Sequence, residues 1–166
     1  MKHIISALVQ NKPGVLAHVA GMFAARAFNI DSLAVGRTED PELSRMTIVV
    51  IGDDRVVEQV RKQLAKIIPV VKVQDFAGKD VVAHDLLLLS VAATPEKRPE
   101  IVAVVEMFGA KVVDIGPKSV MVEICGPETK IEAFIDACRP YGIKDVVRTG
   151  TVAMGRQANI KVKIEK

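Results

Sequence analysis

An α+β fold made of two βαββαβ units in tandem is what this sequence predicts, and three observations carry the prediction. Short β-rich apolar runs alternate with stretches of helical periodicity in the order strand, helix, strand, strand, helix, strand, and that order occurs twice. Val19, Met22, Phe23, Ala25 and Ile30 recur at a constant offset of 85 as Val104, Met107, Phe108, Ala110 and Ile115, a faint internal repeat. The length, 166 residues, suits one domain of about 150 residues or two small ones. The repeat selects two: residues 1–77 and 78–166, joined at Ala77-Gly78-Lys79-Asp80.

With right-handed crossovers this order closes as a split βαβ, ferredoxin-like sandwich: four antiparallel strands with two helices on one face. The bare sheet face and the edge strands are then available for pairing with another copy. In the first half, residues 4–9 form a β-rich run ended by Asn11-Lys12-Pro13-Gly14. Leu16, Val19, Ala20 and Phe23 fall on one face of a helix entered through an early proline. Residues 30–35 and 46–51 are the next strands, joined by the polar segment 37–45. Asp53 or Asp54 caps a second helix with the stripe Val56, Val57, Val60, Leu64 and Ile67, and residues 70–73 close the unit.

The second half repeats the order. Residues 86–91 lead to Thr94-Pro95, a helix start with proline near its first position. Ile101, Val104, Val105 and Phe108 form that helix's stripe. Strands 112–115 and 120–124 are linked by the tight turn Gly116-Pro117-Lys118-Ser119. Ile131, Phe134, Ile135 and Cys138 mark a fourth helix, and residues 146–149 a last strand. The tail, Ile160-Lys161-Val162-Lys163-Ile164, alternates apolar and basic like an edge strand, or equally like a solvated end.

Composition excludes several classes of function. Hydrophobic residues make up 49% of the chain, enough for two cores, but aromatics only 4%. Lys plus Arg number 23 and Asp plus Glu 20, a net charge of +3 without any long basic run. A nucleic-acid protein relying on a dense positive face is therefore not expected. No stretch approaches the ~20 apolar residues of a membrane span, and the apolar N-terminal run stops at Gln10-Asn11-Lys12 without a cleavage site. Two cysteines make no disulfide framework, and free thiols fit a reducing compartment. The expectation is a soluble, cytoplasmic chain.

Catalytic apparatus is not visible. There is no GxGxxG and no phosphate-cradling GxxxxGK[ST]. Cys125 and Cys138 lack metal-finger spacing, and His3, His18 and His84 are scattered, so neither a metal site nor a nucleophile–base pair is expected. Adjacent His84 and Asp85 in a strand point to opposite faces. RNA-binding sheets of this topology need exposed strand aromatics. Here Phe23, Phe108 and Phe134 sit on helix stripes, with Phe28 and Phe76 at element ends.

The informative segment is Asn11-Lys12-Pro13-Gly14-Val15-Leu16, between the first strand and the first helix. It makes an ordinary turn and helix start, and it is also equipped for a small amino acid. A helix N-terminus offers unpaired amide donors and a positive dipole to a carboxylate. Gly14 lets a ligand approach the backbone closely. Asn11 carries both a donor and an acceptor, and Val15 and Leu16 can form an apolar wall.

These residues resemble the ACT domain, an amino-acid-sensing module of biosynthetic enzymes. With Arg26-Ala27-Phe28-Asn29-Ile30-Asp31-Ser32-Leu33 and Ser44-Arg45-Met46-Thr47, the chain resembles the regulatory small subunits of acetolactate synthase over residues 2–156. Arg148-Thr149-Gly150 and Gly155-Arg156 also fit that family. The resemblance implies a non-catalytic subunit of branched-chain amino-acid biosynthesis. Such a subunit activates a large subunit carrying thiamine diphosphate, a divalent metal (Mg) and FAD, and confers feedback inhibition by valine. It also implies a homodimer through ACT domains, with Asn11 and the backbone of Gly14, Val15 and Leu16 from one copy meeting Asn29 and Ile30 of the other around the ligand. The longer 38–45 loop would suit a partner contact or be a solvated hairpin.

Three positions depart from the family pattern. Ala27 stands where glycine is common and would be strained if the first helix ends there in a left-handed conformation. His18 replaces a common basic residue, and residues 160–166 have no counterpart. The alternatives are a free-standing tandem ACT-type sensor acting on another enzyme or on transcription, and a small metabolic enzyme, which the missing catalytic constellation disfavours.

Overall fold

The structure, a computed structural model, describes residues 1–156; the 160–166 edge-strand expectation lies outside them. The chain divides into two compact units. One comprises Met1–Asp31, Val35–Val82 and the described residues from Ala153 on; the other comprises Ser32–Ala34 and Ala83–Val152.

The first sheet is built from β1 (Lys2–Gln10), β2 (Ile30–Arg37), β3 (Leu43–Ile51) and β4 (Val70–Asp75), in the order β2-β3-β1-β4. Helices α1 (Val15–Ala24) and α2 (Asp54–Leu64) are the two crossovers. The β1–β3 register runs from Lys2 opposite Ile51 to Gln10 opposite Leu43. Alternation sends Ile5, Ala7 and Val9 to the same face as Met46, Ile48 and Val50, and all six are buried. The α1 stripe differs from the sequence expectation at two of its four positions: Val15, Val19, Met22 and Phe23 are buried, while Leu16 and Ala20 are exposed. Four apolar residues at i, i+4, i+7 and i+8 still cover one face. In α2 the stripe is Val57, Val60 and Leu64, and of the two candidate caps it is Asp53 whose carboxylate accepts from Val56 N–H at 2.9 Å.

The second sheet repeats the plan with β5 (Val81–Ala92), β6 (Lys111–Ile115), β7 (Ser119–Gly126) and β8 (Ile143–Arg148), in the order β6-β7-β5-β8. A short strand, β9 (Val152–Gly155), pairs with β5 and has no counterpart in the sequence reading. Helix α3 spans Arg98–Met107 and starts later than Thr94-Pro95 suggests, because residues 94–97 are used by a turn in which Lys97 and Arg98 N–H donate to the Thr94 carbonyl. Helix α4 (Glu128–Cys138) buries all four expected residues, Ile131, Phe134, Ile135 and Cys138. Burying each large apolar side chain contributes about 1.5–3 kcal/mol. The Phe134 ring also meets Phe108 edge to face at 5.4 Å.

The repeat is real, but its register is 82 rather than 85 through the first strand and helix. Each first strand shifts register against its fourth-strand partner at the same place, between Leu8 and Val9 and between Ser90 and Val91. Each first helix also ends in the same hydrogen-bond pattern. Phe28 N–H donates to the Phe23 carbonyl and Ala27 N–H to Ala24; Ala110 donates to Val105 and Gly109 to Glu106. This is the Schellman end, whose turning residue is left-handed. Glycine serves at 109 with φ 63°, and alanine at 27 with φ 53°, the one positive φ outside glycine among the described residues. The expected strain at Ala27 is therefore present. The rings of Phe23 and Phe28, whose backbones one of these bonds joins, meet 6.4 Å apart and nearly perpendicular.

Candidate functional site

Helix α1 begins after an exposed turn, residues 11–14. Gly14 precedes it with φ 84°, a left-handed backbone that glycine adopts without penalty, and a Cβ built there meets no atom within 4 Å. No side chain caps this terminus, and its first turn contains no acidic residue. The other three helices each carry an acid there: Asp54, Glu100 and Glu128. The positive dipole end of α1 thus has no acidic residue in its first turn, although the Val15 N–H already donates to the Lys12 carbonyl at 3.4 Å.

Asn11, Gly14, Val15 and Leu16 are brought together at this end of the first sheet. Their roles divide by burial. Val15 is 5% exposed and its side chain belongs to the core, so the apolar-wall reading of Val15 does not hold and only its main chain is left to a ligand. Leu16, 45% exposed, presents apolar surface outside. Asn11 is already half committed: its Nδ2 donates to the Pro41 carbonyl at 2.9 Å and its backbone N–H to the Glu42 carbonyl at 2.7 Å. Its Oδ1 has no protein partner among the described residues.

Asn29 and Ile30 are not brought to this end. They follow the Schellman turn at the opposite end of α1, with Asn29 exposed and Ile30 opening β2. Ten helical residues at 1.5 Å each put about 15 Å of helix between the two groups.

Sequence reasoning missed the bond from Asn11 into the β2–β3 connection, which is itself tightly organised. Thr38 Oγ1 accepts from Asp40 N–H at 3.2 Å and donates to the Asp40 carbonyl at 3.0 Å. Asp40 Oδ1 accepts from Glu42 N–H at 2.9 Å, and the Asp40 carbonyl from Leu43 N–H at 3.0 Å. A Thr-x-Asp-Pro-x segment could have signalled this turn, since short polar side chains bond their own backbone two residues on.

The second unit differs at the matching positions. Ala93 takes the place of Asn11, its N–H donating to the Lys118 carbonyl, and Glu96 stands where Gly14 would. The tether to the facing turn comes from Arg98, whose Nη2 donates to the carbonyls of Gly116 at 2.7 Å and Pro117 at 2.9 Å. A carboxylate and an arginine thus stand at the positions where the first unit has Gly14 and Leu16.

Other family-like motifs are structural. Ser44, Met46 and Thr47 are buried, and Arg45 Nη1 donates to Ser6 Oγ at 3.1 Å. Arg148 and Thr149 grip the buried Asp85, while Arg156 donates from its backbone to the Asp80 carbonyl and from Nε to the Asp80 carboxylate, both at 3.0 Å. Cys125 is exposed and Cys138 buried, and burial pushes the Cys138 thiol up to about 11.

Two βαββαβ units in tandem, differing at the start of their first helix, define an ACT-like class of protein. Residues 5–72 match the family described as the AHAS small subunit-like ACT domain, and residues 84–157 the small subunit of acetolactate synthase. The chain belongs to the acetolactate synthase small-subunit family. It is 56% identical over 156 residues to an Archaeoglobus fulgidus protein named "Probable acetolactate synthase small subunit", covering 94% of this chain and 98% of that one. It is 42% identical to the acetolactate synthase small subunit of Bacillus subtilis, covering 100% and 97%. The crystal structure of the small subunit from Thermotoga maritima matches with a TM-score of 0.88 at 41% identity, over 95% of this chain and 99% of that one.

Proposed function

We propose that this chain binds and activates the catalytic large subunit of an acetolactate synthase, and that valine held at the start of α1 inhibits the assembled enzyme. The observation that carries the ligand reading is the α1 start: a helix with no capping side chain and no acid in its first turn, behind a left-handed glycine with open space beside it. Its amides and dipole suit the ligand carboxylate. Asn11 Oδ1 suits the ammonium group, and Leu16 the isopropyl group.

A second copy completes the site. The length of α1 keeps Asn29 and Ile30 away from the Gly14 of their own chain, so in this reading they meet the α1 start of the partner in a homodimer formed through the ACT-like units. A ligand held from both sides favours the interface geometry that closes on it, and only such differential affinity can shift the activity of a bound enzyme.

The chemistry belongs to the large subunit: condensation of two pyruvates, or of pyruvate with 2-oxobutyrate, with loss of carbon dioxide. Among the described residues no three His, Cys, Asp or Glu side chains are grouped to hold a metal. In this reading the divalent ion, thiamine diphosphate and FAD belong to the large subunit. Valine titration of the reconstituted two-subunit enzyme is the test. Activity should rise when this chain is added to the large subunit and fall saturably with valine. Pyruvate turnover by the pure chain alone, or a complex indifferent to valine, would overturn the reading.

A further inference from the structure

We propose that Asn11 is a positioning residue that joins the ligand loop to the β2–β3 connection, so that occupancy at the α1 start is transmitted to residues 38–43. The proposal rests on the ligand reading above and adds the route by which the site is read out. One side chain amide has two ends. Here Nδ2 is spent on the Pro41 carbonyl at 2.9 Å, and Oδ1 is left for the ligand. Whatever fixes Oδ1 therefore fixes Nδ2, and with it the carbonyl of Pro41.

The connection is built to move as one piece. The Asn11 backbone N–H holds Glu42 at 2.7 Å, next to the Pro41 bond. Thr38 Oγ1 and the Asp40 carboxylate tie the intervening amides, and Thr38 N–H and the Leu43 carbonyl close the base at 3.0 Å. A pull at Pro41 is thus shared by all of residues 38–43 instead of being absorbed by one rotatable bond. The second unit supports the assignment by contrast. There the turn is held by the side chains of Arg98, on the helix, and Lys144, on β8, and Ala93 at the position of Asn11 offers no side-chain amide to link a ligand to it.

The test is hydrogen exchange of the peptide spanning residues 38–43 in the full chain, with and without valine, alongside calorimetric valine binding. In the unsubstituted chain valine should slow exchange of these amides by about fivefold, the factor that one net hydrogen bond supplies. Asn11→Asp keeps an acceptor for the ammonium but removes the donor to Pro41. It should raise exchange of residues 38–43 without ligand and erase the response to valine. Thr38→Val loosens the connection without touching the ligand loop, so it should bind valine within about twofold of the unsubstituted affinity, well under one hydrogen bond's worth, and lose the exchange response. Valine binding with unchanged exchange at residues 38–43 overturns the joint and leaves the site standing. Absence of calorimetric binding to the unsubstituted chain overturns the site and the joint with it. A Thr38→Val chain that responds normally overturns the stiff connection and therefore the joint.

Discussion

Asp85, 2% exposed on the helix-covered face of the second sheet, accepts a 2.6 Å bond from Arg148 Nε across the β5–β8 pair. Thr149 Oγ1 adds a second donor at 3.0 Å, and Arg148 reaches Glu132 with Nη1 at 2.6 Å. Partial desolvation works against the charge on Arg148, but the bonds it donates to Glu132 and Asp85 outweigh it and hold the guanidinium above its usual range. Arg148→Ala would strand a buried carboxylate and should destabilise the second unit by about 2–4 kcal/mol, below the full cost for a buried pair because Arg148 keeps some solvent contact. Denaturant unfolding followed in the second unit measures it. Asp85→Leu combined with Arg148→Met should recover most of the loss, since an apolar pair of similar volume replaces the buried ion pair and the remaining Glu132 carboxylate is half exposed to solvent.

Ala27 pays a penalty that Gly109 does not. Its φ of 53° brings a Cβ close to the following carbonyl oxygen, a strain of about 1–2 kcal/mol, partly offset by the entropy that glycine would lose on folding. Ala27→Gly should therefore raise stability by up to about 1 kcal/mol, seen as a rise of a few degrees in Tm. Ala27→Val should lower it, because a β-branched side chain tolerates a left-handed backbone poorly. Equal midpoints for the three chains would mean that the turn relaxes out of the left-handed region.

Gly14→Asp places a carboxylate against the α1 amides and should reduce valine affinity by at least about tenfold, the equivalent of one charge-assisted hydrogen bond. Gly14→Asn, which tolerates a left-handed φ, controls for the backbone. The shared-site reading makes a sharper demand. Dimers mixed from Gly14→Asp and Asn29→Ala chains contain one site with both defects and one with neither. Mixing two weakly binding proteins should thus restore roughly half the sites in the heterodimer. Mixtures that bind no better than their parents would place the whole site within one chain.

The two thiols should separate by reactivity. Near neutral pH a thiol reagent should modify Cys125 in the folded chain and leave Cys138 untouched until unfolding. Burial raises the Cys138 thiol from an ordinary 9.0 to about 11. Its contribution to stability is present below 9 and is lost as pH rises through 11, because the unfolded chain releases that proton first. Alkaline unfolding of a Cys138→Ala chain, compared with the unsubstituted one, should lack this component.

Periodicity made most of this fold legible. Helix α4 is the clearest case, since Ile131, Phe134, Ile135 and Cys138 fall on one face and nothing competes for them. Helix α1 was harder because Leu16 and Ala20 are as apolar as the residues it buries, so only packing against β1 and β3 decides which neighbour turns inward. The repeat misled by three residues for a similar reason: one helical turn of slippage keeps apolar residues opposite apolar residues. The ligand loop could be read because its chemistry is local, in a glycine, a proline and the start of a helix. The Asn11–Pro41 bond and the Asp85–Arg148 pair span 30 and 63 positions, and such contacts exist only once the strands have been ordered.

The matching register shifts, at Leu8/Val9 and at Ser90/Val91, extend the repeat from side chains to the hydrogen-bond ladder itself. Each interrupts that ladder at the same place, where a first strand meets its fourth-strand partner. Within this shared backbone the two halves carry different residues at the first helix start, Asn11 against Ala93 and Gly14 against Glu96. A difference in chemistry between the halves thus needs an exchange of side chains and no change of architecture.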